Sequence, residues 1–156
     1  MKILILGIDG MIGHKIAQSL SEDFILIGST RKNISNSDIG IKNCNLITHN
    51  FITDNTLTLL DNINPDIIIN CVGITIRRGL NNDQNHTELL NSKLPHKLNK
   101  WVENNQKKLI HFSTDCVFSG KKGNYKLTEK PNAQDLYGKS KKKGEVLSKN
   151  CLTIRT

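Results

Sequence analysis

Residues 2–17 read KILILGIDGMIGHKIA. The apolar run Ile3–Leu6 reads as a buried strand. It meets Gly7, and Gly10 and Gly13 follow at three-residue spacing before an amphipathic stretch with Ile12, Ile16, Ala17 and Leu20 on one stripe. Each glycine has a physical task. Gly7 lets the chain turn sharply off the strand. Gly10 withholds a side chain where a pyrophosphate would approach the backbone, and Gly13 lets the helix pack close to the sheet. The helix N-terminus then offers unpaired N–H groups and a partial positive charge to phosphates. A tight structural turn is the competing reading, but a strand before the glycines and an amphipathic helix after them are the context that a dinucleotide-binding turn requires.

The rest of the chain repeats this grammar. FILIG (24–28) and DIIINCVGI (66–74) are further dense apolar blocks set among polar stretches. Six strands are predicted, at about residues 2–6, 24–28, 42–47, 66–71, 108–113 and 151–155. They read as continuous apolar runs without alternation, as strands covered on both faces do. Three helices stand out: 11–23, 87–106 and 134–150, the second interrupted by Pro95, where a kink or a helix entry is expected. In the third, Leu136, Val146 and Leu147 are the expected apolar contacts. Strands alternating with helices imply an α/β protein: a Rossmann-type, doubly wound parallel sheet of about six strands with helices on both faces. No linker, repeat or shift of composition marks a second domain within 1–156.

Bulk properties narrow the partners. The net charge of +8 favours anionic ligands, but the cations are scattered and only seven residues are aromatic, so a nucleic-acid surface is disfavoured. The four cysteines, Cys44, Cys71, Cys116 and Cys151, form no C-x-x-C pair, which points to a reducing, cytoplasmic setting; Cys71 and Cys151 read as small core residues. His49, His86 and His96 lack metal-ligand spacing, so no metal is expected. His14 faces either a phosphate or the surface, and His111 reads as a core or cofactor-floor residue. Asp9 breaks the first apolar run, so neither a signal peptide nor a membrane span is expected there.

The second strand should end near the adenosine ribose, where an acidic residue would bind the 2′-hydroxyl of NAD. This chain has GSTRKN (28–33) there, and Arg31 can pair with a 2′-phosphate. The expected cofactor is NADPH, with NADH as the alternative; otherwise Arg31 and Lys32 are ordinary solvated loop residues. Tyr137 and Lys141 lie four apart on the third helix and share a face. An ammonium beside the phenol would lower its pKa, so that Tyr137 could pass a proton to a carbonyl oxygen during hydride transfer. IHFSTDCVFSG (110–120) adds Ser113, Thr114 and Asp115 at the C-terminal end of the fifth strand, the edge where active groups of parallel sheets collect. Lys139, Lys142 and Lys143 read as solvated.

GIDGMIG (7–13), INPDIIINCVG (63–73), NSKLP (91–95), HFSTDCVFSGKKGNY (111–125) followed by TEKPN (128–132), and YGKSKKKGE (137–145) together resemble the extended short-chain dehydrogenases/reductases, and among them the dTDP-4-dehydrorhamnose reductases. The resemblance implies Thr114 as substrate-oxygen donor, Tyr137 as proton donor and Lys141 as its partner. It also implies cofactor contacts from Gly7, Gly10, Met11, Ile12, Gly13, Arg31, Cys71, Val72 and Gly73, with Tyr137 and Lys141. The implied reaction is NADPH-dependent reduction of the 4-keto group of a dTDP-linked 6-deoxysugar, giving dTDP-L-rhamnose for surface polysaccharide; a nucleotide sugar is the implied partner. This chain departs from the family pattern at Cys116, usually Tyr; at Ser119, usually acidic; and at Asn45, where an Asp near the adenine is usual. Family members are also roughly twice as long, so 1–156 is expected to be the cofactor half with the catalytic helix, the C-terminal substrate domain being absent or truncated. An exposed last strand would favour self-association, and a homodimer is the assembly to weigh. The competing functions are a non-catalytic nucleotide-binding or regulatory subunit, and an NAD-dependent sugar-nucleotide epimerase or dehydratase.

Overall fold

A computed structural model describes residues 1–75 and 83–156. The strands are β1 (Lys2–Leu6), β2 (Ile25–Thr30), β3 (Cys44–Thr48), β4 (Ile67–Asn70), β5 (Lys108–Ser113) and β6 (Cys151–Arg155). They form one sheet in the order β3-β2-β1-β4-β5-β6, and every neighbouring pair is parallel. The order reverses between β1 and β4, and a doubly wound sheet opens a crevice at its carboxyl edge at that point. Ile3, Leu4, Ile5 and Leu6 are all buried, as the lack of alternation in their sequence requires.

The helices are α1 (Met11–Leu20), α2 (Asn36–Ile39), α3 (Thr56–Ile63), α4 (Gln84–Thr87), α5 (Leu94–Asn104) and α6 (Leu136–Lys143). Two cores result, one on each face of the sheet. On one, Ile3, Ile5, Leu26 and Ile69 pack with Ala17 of α1. On the other, Leu4, Leu6, Ile68 and Leu109 pack with Leu60 of α3 and with Leu94, Leu98, Trp101 and Val102 of α5. Trp101 is a core residue, and its indole N–H donates to Asp61 Oδ1 at 2.7 Å. Cys71 and Cys151 are half-buried at the margins of these cores.

Of the kink or helix entry expected at Pro95, the structure has the entry, and the third helix changes in detail. Pro95 lies at the start of α5, immediately after a π-helical turn, Glu88–Lys93, so the change of helical pitch falls where the proline ring enters. The third helix ends at Lys143 rather than near residue 150. A Cβ on Gly144 would stand 1.9 Å from Asn91 O, so the end of α6 is pressed onto the π turn and the chain leaves the helix there. As a result Val146 is buried, but Leu147 is 98% exposed and Leu136 38% exposed.

Candidate active site

The glycine turn has the geometry its spacing predicts. Gly7 has φ +78°, and its N–H and that of Ile8 both donate to Ser29 O at 3.0 Å, which fastens the turn to the end of β2. A Cβ on Gly13 would lie 2.3 Å from Gly7 O, so α1 approaches the strand end as closely as a bare α-carbon allows. Gly10 is the N-cap of α1, and no side chain there bonds the first-turn N–H groups. Those donors point out of the turn with nothing from the cap to satisfy them, as an anion-binding helix start requires.

From this turn a groove runs along the carboxyl edge of the sheet. Gly7, Asp9 and Gly10 line it beside β1, Ser29, Thr30 and Arg31 at the end of β2, and Cys71, Val72 and Gly73 beyond β4. Six of the residues expected at the cofactor are thus brought together: Gly7, Gly10, Arg31, Cys71, Val72 and Gly73. Gly13 serves by packing beneath the turn. Met11 is 85% exposed and Ile12 half-buried in the first turn of α1, outside the groove lining. Arg31 is exposed at the rim. Lys32 pairs with Asp9 at 3.4 Å across the groove mouth.

The third strand carries a different residue to the groove than the family pattern suggests. Asn45 is exposed within β3, away from the groove, because the strand continues to Thr48 before reaching the sheet edge. The residues at that edge are His49, Asn50 and Phe51. His49 Nε2 and Ser29 Oγ are buried in the lining with no hydrogen-bond partner among the described residues. Buried polar atoms without partners are rare. Two of them in one groove, with an uncapped helix start and glycines where a backbone must be approached, fit a dinucleotide. His14 does not face the turn; its Nε2 bonds Ile39 O at 2.7 Å.

Outside the groove lining, at the carboxyl end of β5 and the start of α6, stand the residues expected to do chemistry. Thr114 caps a short 3-10 turn, Asp115–Val117, by accepting from Cys116 N–H at 3.2 Å. Asp135 caps α6 by accepting from Gly138 N–H at 2.8 Å. A Cβ on Gly138 would be 2.2 Å from Cys116 O, so this glycine lets the first turn of α6, with Tyr137, press against the Thr114 turn. Burial pushes the Tyr137 phenol above its ordinary value; a hydrogen bond with the Thr114 side chain opposes this.

Lys141 is buried and its Nζ donates to Phe112 O at 2.6 Å. Burial lowers its pKa to about 8, while Cys71 and Glu145 act to raise it. The expected depression of the Tyr137 pKa by Lys141 is therefore not a property of this structure. The amine is committed to the Phe112 carbonyl, and burial dominates the phenol. The amine nonetheless lies close behind the groove wall: a Cβ on Gly73 would stand 3.8 Å from Lys141 Nζ and 3.2 Å from Asn91 Oδ1.

Asn91 was not anticipated. It sits in the π turn, its Oδ1 accepting from Ile74 N–H at 2.8 Å and its Nδ2 donating to Ile74 O and to Ser140 Oγ, both at 3.0 Å. It ties the loop after β4 to α6. A π-helical turn is a frequent marker of functional sites, but it leaves no periodicity in the sequence by which to find it. His111 is fully buried beside this layer. Burial and the Lys141 charge bring it down to about 3, so it is neutral, and its Nδ1 meets Asn70 Nδ2 at 3.1 Å. Past Thr114 a second recess opens, lined by Asp115, Cys116, Phe118, Ser119, Tyr125 and Arg155 among others.

Strand order, glycine turn and groove define a Rossmann-type dinucleotide-binding protein. Residues 1–156 match the family described as RmlD substrate binding domain, and the chain belongs to it. It is 26% identical over 147 residues to a probable low-salt glycan biosynthesis reductase, Agl14, of Haloferax volcanii, covering 93% of this chain and 48% of that protein. Against a dTDP-4-dehydrorhamnose reductase of Aggregatibacter actinomycetemcomitans the identity is 25% over 164 residues, covering 99% and 50%. The chain thus spans about half the length of the curated relatives it matches. Among solved structures, a hypothetical dTDP-4-dehydrorhamnose reductase from Sulfolobus tokodaii superposes with a TM-score of 0.84 at 27% identity, over 99% of this chain and 55% of that one. A UDP-glucuronic acid 4-epimerase from Bacillus cereus, solved with NAD, shares the fold at a TM-score of 0.75 and 22% identity.

Proposed function

We propose that this chain is the cofactor-binding and proton-donating part of an NADPH-dependent reductase acting on the 4-keto group of a dTDP-linked 6-deoxysugar, in the cytoplasm, in the supply of sugars for surface polysaccharide. One observation carries the reading: a groove that starts at an uncapped helix N-terminus includes Gly73, which lies against the buried Lys141 amine, with Tyr137 and Thr114 at the same sheet edge. The glycine turn would hold the pyrophosphate, Arg31 the 2′-phosphate, and Cys71, Val72 and Gly73 the far end of the cofactor, which supplies hydride when bound.

The protein's own groups supply the rest. The Thr114 hydroxyl donates to the substrate's keto oxygen and orients it. Tyr137 remains protonated at neutral pH because burial holds its pKa high, so its hydroxyl is an acid ready to give its proton to that oxygen. Lys141 sits beneath the groove as a cation for a ribose hydroxyl. Arg31 in place of an acidic residue after β2 favours NADPH over NADH and argues against the NAD-dependent epimerase reading. A retained Thr114–Tyr137 pair argues against a purely regulatory subunit.

The test is a titration of the protein with NADPH and with NADH, followed by nicotinamide fluorescence. Tighter binding of NADPH is expected; no binding of either, or equal binding, overturns the cofactor assignment.

A further inference from the structure

Glu145 lies two residues beyond the end of α6, and its side chain is 5% exposed. Burial of a bare carboxylate would be costly, but this one is fully engaged. It accepts from Ser113 Oγ at 3.0 Å, from Lys142 Nζ at 2.9 Å, and from Arg155 Nε and Nη2 at 2.6 and 2.9 Å. Burial acts to raise its pKa, yet the hydrogen bonds from Arg155, Lys142 and Ser113 hold it at about 2, so it is a fixed negative charge. Its donors come from the ends of β5 and β6 and from α6. Ser113 adjoins Phe112, whose carbonyl holds Lys141 Nζ at 2.6 Å, so carboxylate and amine grip adjacent residues of one strand end.

Three titratable groups act electrostatically with the Lys141 amine: Cys71 after β4 and Glu145 favour its charged form, and its charge disfavours that of His111 on β5. The Cys71 thiol is pushed up to about 12 by burial and His111 down to about 3, so both are neutral at neutral pH. Among these groups Glu145 alone brings a negative charge.

We propose that Glu145 is a positioning residue for Lys141: the buried counter-charge that keeps the amine cationic beneath the cofactor groove, with Arg155 as the group that limits how much of that charge the amine receives. Its place in catalysis rests on the reductase reading, but the electrostatic claim does not. Arg155 spends its Nε and Nη2 on the carboxylate, while its guanidinium carbon lies 5.1 Å from the Phe118 ring centroid and its side chain lines the recess past Thr114. A change in that recess therefore reaches the amine through one shared carboxylate.

The test is the titration of Lys141 followed by NMR of the protein labelled with 13C at the lysine ε-carbons. The resonance is assigned by its loss in Lys141→Met. Wild type should titrate near pH 8. Glu145→Gln should lower the midpoint by about 1 pH unit, and Glu145→Asp should stay close to wild type. Arg155→Met should raise the midpoint, because it leaves the carboxylate less neutralised. Opposite shifts in the Glu145 and Arg155 variants support the proposal, since a general loosening of the fold would move both the same way. An unmoved midpoint in Glu145→Gln overturns it. If that variant does not fold, Arg155→Met alone decides: an unchanged or lowered midpoint overturns it. NADPH titrations of the same samples separate the two claims. Absent binding in wild type removes the reductase reading, and absent shifts with binding intact remove the role of Glu145.

Discussion

Tyr137 and Arg31 carry the sharpest expectations, and each is a matter of one side chain. Tyr137→Phe removes the proton but not the ring that packs beside Thr114. On the reductase reading it should leave NADPH affinity unchanged within about twofold and lower the rate of keto-sugar reduction about 10²–10⁴-fold, measured as NADPH consumption. Unchanged turnover would remove Tyr137 from the chemistry. Arg31→Ala should weaken NADPH binding about tenfold or more and leave NADH binding nearly unaltered, because only NADPH has a 2′-phosphate for the guanidinium. At this scale the sequence was informative where a motif fixes a backbone. Gly7, Gly10, Arg31, Cys71, Val72 and Gly73 share one groove, as their spacing and resemblance implied. It was uninformative for Asn91 and Glu145, which bond residues far away in the chain, and Asn45, which the resemblance set near the adenine, lies inside β3 and outside the groove lining.

Elements fix how closely these residues can meet. The approach of α1 to β1 depends on Gly13, and that of α6 to the Thr114 turn depends on Gly138. Gly13→Ala would drive a methyl against a backbone oxygen at 2.3 Å, and Gly138→Ala against one at 2.2 Å. Neither backbone can move without shifting a whole helix. Each substitution should destabilise the protein by about 1–3 kcal/mol in urea denaturation. Their functional effects should separate: Gly13→Ala should also lose NADPH binding, while Gly138→Ala should retain it and lose turnover. Six strands and the start of α1 lie where the apolar runs place them, since burial on both faces leaves a dense signal. The end of α6 did not, because lysine-rich sequence continues past Gly144 with good helix formers. What stops the helix is contact with Asn91 in the π turn, a neighbour in space alone.

The whole molecule carries several ionisable groups whose charge state is set by folding, and their signs can be worked out. Glu145 is held at about 2 against an ordinary 4.5, so it stabilises the fold above that ordinary value, and the contribution is lost as pH falls toward 2. His111 is lowered from 6.5 to about 3; the unfolded chain binds its proton first, so stability is again lost as pH falls through that window. Lys141, lowered from 10.5 to about 8, is proton-poorer when folded, so its penalty is relieved as pH rises from about 8 toward 10.5. Stability should therefore rise with pH across the acid range. Thermal unfolding between about pH 3 and about pH 7 measures this, and His111→Gln should flatten the profile below about pH 6.5. A profile flat in the wild-type protein would contradict the burial of these groups.

The apolar runs and the three glycines were enough to specify a parallel, doubly wound sheet and the place of its phosphate turn, because strand burial and backbone freedom are local properties written in residue type. The order 3-2-1-4-5-6 then sets which loops share an edge. The charge states at that edge could not be had the same way. That Lys141 bonds Phe112 O, that Tyr137 is raised rather than lowered, and that Glu145 gathers Ser113, Lys142 and Arg155 all depend on desolvation and on partners brought together by packing. A pKa is a property of surroundings, and these surroundings exist only once β5, β6, α6 and the π turn have closed around one another.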